Sequence, residues 1–119
     1  MVHQMVNYSP DRQAGLDRAF VALSHPVRRQ IVERLARGPA TVAQAAAGID
    51  VSKPAISRHL RVLEEAGVVS RVIDGREHRL SLEGRPLGEA SEWIARQRKL
   101  WERKFDVIDE YLSERRRTR

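Results

Sequence analysis

The chain predicts a mostly α fold with a small β-hairpin wing, a winged helix-turn-helix that is dimeric. Three observations carry this. Thr41 to Leu82 reads as helix, tight turn, helix, strand, two-residue turn, strand. The helix in the middle of that order has Lys53, Arg58 and Arg61 and no Asp or Glu between Ser52 and Leu63. From Pro86 to about Ser113 runs one amphipathic pattern, too long for a small domain to cover by itself. The 119 residues are read as a single domain, 1–119, with no repeat or dividing linker.

Residues 1–8 read as a loose arm. The first helix, 9–23, starts at Ser9-Pro10-Asp11: a capping hydroxyl, a proline at the first helical position and an acid near the positive dipole end. Leu16, Ala19, Phe20 and Leu23 then mark one apolar face. Ser24 is expected to cap the second helix, with Pro26 in its first turn. Val27, Ile31, Val32 and Leu35 form its stripe, and Gly38-Pro39 stops it.

The helix-turn-helix covers 41–66. Thr41 and Gln44 have capping-box spacing. Ala43, Ala45, Ala46 and Ala47 let a neighbouring helix approach closely, and Gly48 breaks the helix. Ile49-Asp50-Val51 is the turn, Ser52 caps the next helix, and Ile56, Leu60, Leu63 and Val62 turn to the core. Gly67 is a left-handed C-cap. The wing covers 68–82: a strand from Val68 to Ile73, an Asp74-Gly75 hairpin turn, and a return strand from Glu77 to Leu82.

Leu87, Ala90, Ile94, Gln97, Trp101, Phe105, Ile108 and Leu112 step by three and four along the last helix, 86–113. At 1.5 Å per residue it would be about 40 Å long. This helix, 86–113, is therefore expected to pair with its copy in a dimer through Ile94, Trp101, Phe105, Ile108 and Leu112; the alternative is that it folds back on the first helix of the same chain. The basic tail, 114–119, is expected to be disordered.

The formal net charge of +6 favours a polyanionic partner without specifying a fold. Yet residues 41–85 hold seven basic and six acidic side chains, so placement matters more than net charge. Ile56, Leu60 and Leu63 occupy one side of their helix, and Lys53, Ser57, Arg58 and Arg61 project mostly from the other. A helix of this kind can dock its apolar face and offer its polar face to a major groove. Arg58 or Arg61 suits a guanine edge, and Ser52 and Ser57 suit phosphates or base edges. His59 is either a DNA contact or a satisfied interface residue. Arg76 and Arg79 in the wing suit the minor groove or a flanking phosphate. The helix start at Thr41, with Gln44, can offer N–H groups to phosphate.

Other chemistry is not legible. The chain has no cysteine, which excludes disulfides, thiolate metal sites and a Cys nucleophile. His3, His25, His59 and His78 are dispersed, no two at i, i+4, so neither a metal nor another cofactor is expected. No nucleophile–base pair, phosphate loop or paired acids suggest an enzyme. No apolar run reaches the roughly 18 residues of a membrane helix, and no signal-peptide pattern opens the chain, so a cytoplasmic protein is expected.

Two segments, with Asp74-Gly75-Arg76, complete the reading. Residues 22–35, ALSHPVRRQIVERL, and 51–69, VSKPAISRHLRVLEEAGVV, closely resemble the ArsR (arsenic-repressor-like) family of bacterial winged-helix repressors. The resemblance spans about residues 16–82. It implies a homodimer joined by first and last helices, which puts Leu16 and Phe20 of helix 9–23 at the interface, bound to a partly palindromic operator and released or retained by an effector. The effector itself is not identified. It also implies that Ser52, Lys53, Ser57, Arg58, His59 and Arg61 lie on the recognition helix and Arg76 on the wing. The Cys pair and last-helix His ligands of metal-sensing members are absent. The expected function is thus a sequence-specific, DNA-binding transcriptional repressor. The alternatives are a winged-helix protein-interaction module or a metal sensor with intersubunit ligands.

Overall fold

Apolar residues at helical spacing build the elements of a computed structural model that describes residues 10–117. The arm, the Ser9 cap, His3, Thr118 and Arg119 lie outside the described residues. Helices α1 (Pro10–Leu23) and α2 (Pro26–Leu35) come first, followed by a short strand β1 (Ala40–Thr41) and α3 (Val42–Ala46). Then come α4 (Lys53–Glu65), β2 (Val69–Asp74), β3 (Glu77–Leu82) and α5 (Gly84–Arg117). The strands form one antiparallel sheet in the order β1-β3-β2. The chain divides into two compact units, residues 1–89 and 90–119.

The first unit is organised around the apolar faces that spacing alone indicates. Ile31 of α2, Leu60 and Leu63 of α4, Leu80 of β3, and Val68 just before β2 are all essentially fully buried. Val27, Leu35, Ile56, Val69 and the small Ala22, Ala40 and Ala45 complete this core. Val62 is half-buried against it. Gly67, at φ 72°, ends α4 in a Schellman arrangement: its N–H donates to Glu64 O, and Val68 N–H donates to Leu63 O.

Four details differ from the expectations. Strand β1 was not foreseen; two residues show no alternation, and only pairing of Ala40 with Leu80 and Thr41 with Arg79 makes them a strand. The hairpin loop is Gly75-Arg76, because Asp74 pairs with Glu77. Of these two loop residues Gly75 alone has positive φ, 62°, which suits a type II′ turn. The cap of α2 is His25, whose Nδ1 accepts the Val27 N–H at 3.1 Å. Pro26 occupies the first helical position and so shifts the cap to its neighbour, while the Ser24 hydroxyl donates back to Val21 O at 2.6 Å. Finally, α5 extends beyond 86–113 at both ends, and Arg115, Arg116 and Arg117 are helical. Arg115 reaches the Tyr111 hydroxyl at 3.4 Å, and Arg116 Nε donates to Leu112 O at 3.4 Å.

The α1–α2 corner is tied to α4 by one guanidinium. Arg28 Nε donates to Ala22 O at 2.8 Å and Nη2 to Val21 O at 3.0 Å, using carbonyls at the end of α1 that have no helical N–H partner. Its Nη1 lies 3.1 Å from His59 Nδ1, which must accept because arginine has no acceptor. Arg29 Nη1 adds a bond to Leu23 O at 2.8 Å. The His59 ring also packs on His25, with centroids 4.3 Å apart.

Burial first, and then the positive charges of His25, Arg28 and Arg58, hold His59 below the ordinary histidine pKa. The neutral imidazole is therefore the form the fold accommodates. An unfolded chain takes up this proton near the ordinary histidine pKa of about 6.5, whereas the folded one takes it up only at lower pH. His59 costs nothing above that range, and stability is lost as pH falls through it. Urea unfolding of the wild type and of His59→Gln between pH 8 and pH 5 should show a steeper acid loss in the wild type. Parallel pH dependences would remove His59 as the cause.

Candidate nucleic-acid interface

The first turn of α4 is built to be exposed. Ser52 is its N-cap, accepting the Ala55 N–H at 3.2 Å, and Pro54 lies in the first turn. No acid occurs in that turn. Because Ile56, Leu60 and Leu63 are buried, the opposite side must face outward. Lys53, Ser57, Arg58 and Arg61 are all exposed. Lys53, Ser57 and Arg61 are spaced i, i+4, i+8 and so line one face, with Arg58 adjacent.

Electrostatics separates the cations into two groups. Among the described residues, Lys53, Arg58, Arg61 and Arg76 form no ion pair. Arg79 instead pairs with Glu77 at 3.0 Å on the same strand, so the wing offers Arg76 at its loop as the unneutralised cation. Thr41 and Gln44 close the capping box they were expected to form: Thr41 N–H donates to Gln44 Oε1 at 2.9 Å, and Gln44 N–H donates to Thr41 Oγ1 at 3.2 Å. His59 is half-buried, with Nδ1 committed to Arg28. The structure thus groups Ser52, Lys53, Ser57, Arg58 and Arg61 on one exposed helix start. Thr41 and Gln44 cap the preceding helix, His59 turns inward, and Arg76 and Arg79 lie on the hairpin.

One cluster escaped the sequence reading. Arg71 of β2 forms a 2.6 Å ion pair with Glu64 near the end of α4, and its Nη1 reaches His78 Nδ1 of β3 at 3.0 Å. One arginine thereby links the helix to both long strands of the wing. Strand alternation was the only available signal, and it says nothing about which helix lies opposite.

The residues assigned to the dimer interface fall into both units. Leu16 and Phe20 are half-buried in the first. In the second, Ile94, Trp101, Phe105, Ile108 and Leu112 are exposed, Trp101 at 64% and Phe105 at 58%. Among the described residues no group of three or more His, Cys, Asp or Glu is placed to hold a metal ion. Nor is any described helix long and apolar enough to cross a membrane.

A helix-turn-helix domain model matches residues 23–72, from the end of α1 into β2. The chain is 34% identical over 79 residues to the transcriptional repressor SdpR of Bacillus subtilis, covering 66% of this chain and 88% of that protein. It is 53% identical over 53 residues to the HTH-type transcriptional regulator Rv2034 of Mycobacterium tuberculosis, covering 44% of this chain. It spans about half the length of that relative. A crystal structure of an ArsR family transcriptional regulator superposes with a TM-score of 0.70 at 36% identity, covering 76% of this chain and 93% of the other. The wing, the exposed α4 start and these similarities agree: the chain belongs to the ArsR family of winged helix-turn-helix transcriptional regulators.

Proposed function

We propose that this protein is a cytoplasmic transcriptional repressor that binds a partly palindromic DNA operator as a homodimer. The observation that carries this reading is the exposed, acid-free start of α4, presented by a helix whose other face is locked into the core. In the complex α4 enters the major groove. Arg58 and Arg61 read base edges, Lys53, Ser52 and Ser57 hold phosphates, and Arg76 meets the backbone or minor groove beside them. One such unit reads half a site. Two related by a twofold axis place their α4 helices in successive major grooves, about 34–36 Å apart.

The exposed apolar stripe of α5 supports the dimer. Ile94, Trp101, Phe105, Ile108 and Leu112 form a face far more apolar than an isolated surface helix retains. A homodimer also explains why a segment with nearly balanced charge can hold DNA: two sets of four or five correctly placed cations act together.

Selection of bound fragments from a genomic pool would give the operator. On that operator, Arg58→Ala and Arg61→Ala should each weaken binding by roughly 1–3 kcal/mol, and affinity should fall steeply with salt as phosphate contacts release counterions. Unchanged affinity in both variants would exclude this docking. Trp101→Glu should yield a monomer in sedimentation and lose operator binding at the same time; a variant that stays dimeric would remove α5 from the interface.

A further inference from the structure

A cleft runs between α2 and α3. Gln30, Arg34 and Arg37 recur at steps of four and three residues, so α2 and the turn after it set them along one wall. Gln44, Ala47 and Gly48 line the other. Ala47 is exposed, and a side chain added at Gly48 would meet nothing, so the α3 wall leaves the cleft open. Among the described residues no carboxylate lines it. Glu33 stands one turn before Arg37, yet among the described residues neither Arg34 nor Arg37 forms an ion pair.

The hydrogen bonds within the fold leave this cleft rich in donors. Arg34 gives one Nη1 bond to Gly38 O at 3.2 Å, which steadies the guanidinium and uses one of its five N–H groups. Gln44 Oε1 accepts the Thr41 N–H at 2.9 Å, so the free branch of that amide, Nε2, is a pure donor. Arg37 is exposed. Two guanidinium forks and an amide donor match a group that has only acceptor oxygens, such as a phosphodiester. The end of the α2 dipole opposes an anion with roughly half a charge, against two whole positive ones.

We infer that the α2–α3 cleft grips a phosphate of the DNA backbone beside the bases that α4 reads, through Arg34, Arg37 and the Gln44 amide. The inference rests on the operator binding proposed above and extends its footprint to α2, a helix otherwise used for the core. From Gly48 the chain reaches Ser52, the exposed cap of α4, in four residues, so the cleft adjoins the reading helix. A contact of this kind fixes the protein on the duplex without reading sequence.

Salt dependence and single-charge removal test it in the full-length protein. The double variant Arg34→Gln, Arg37→Gln keeps donors at both positions and removes both charges. It should weaken operator and unrelated DNA by the same factor, and flatten the plot of log affinity against log salt by about 1.8, one phosphate for each cleft of the dimer. Arg37→Ala, at an exposed side chain, should flatten it in the same direction. Methylphosphonate substitutions remove one backbone charge at a time. One position per half-site should weaken binding by the wild type and have no effect on the double variant. An unchanged salt slope, or no such position, overturns the cleft contact while Arg58→Ala still weakens the operator. Shifts of the Arg34 and Gln44 side-chain resonances in millimolar inorganic phosphate, with an unchanged salt slope, would give the cleft to a free anion and overturn its contact with DNA. A wild type that selects no operator from genomic DNA overturns the repressor reading as well.

Discussion

Burial of the α4 face formed by Ile56, Leu60 and Leu63 against Ile31, Val68 and Leu80 is the interaction on which the rest depends. It decides which side of α4 is hidden, and therefore which side is offered. Fully burying an aliphatic side chain of this size is worth about 1.5–3 kcal/mol. No surface charge interaction on the opposite face competes with that. Rotating α4 enough to hide Arg58 or Arg61 would expose these leucines, so the orientation of the basic groups follows from the core.

Polar contacts then fix how α4 sits among its neighbours. Arg28 joins carbonyls at the end of α1 to His59 near the middle of α4, and Arg71 joins Glu64 near its end to the wing. These two arginines tie the helix to α1–α2 and to the wing. The bond to His59 reaches a neutral imidazole Nδ1, so it depends on an acceptor that protonation of His59 would remove. The exposed face of α4 differs: among the described residues, Lys53, Arg58 and Arg61 form no ion pair. Cations of similar kind thus have different roles because the fold supplies carboxylates, carbonyls or imidazoles to some and solvent to others.

Much of this was legible beforehand, and the reasons are local. Capping at Thr41 and Ser52, the Gly67 terminus and the apolar stripes of α2 and α4 each depend on residues within one or two turns. Helical spacing likewise identified Lys53, Ser57, Arg58 and Arg61 as outward-facing. What escaped notice involved partners far apart in the chain. The strand at Ala40–Thr41 exists only through β3, His59 turns inward only because α2 brings Arg28 to it, and Arg71 finds Glu64 only once the hairpin folds back on α4. The hairpin loop moved by one residue for the same reason, since cross-strand register decided it.

By itself, the order of residues determined the winged helix-turn-helix and the basic, acid-free start of α4, because periodicity and capping act at short range. It also determined the apolar stripe of α5, which is a property of one helix. Tertiary structure decided which cations remain free. Arg28 and Arg71 became struts and Arg79 a paired surface charge, whereas Arg58, Arg61 and Arg76 stayed open. The physical reason is that a side chain's availability depends on the groups that folding brings within hydrogen-bonding distance, and those groups come from other elements.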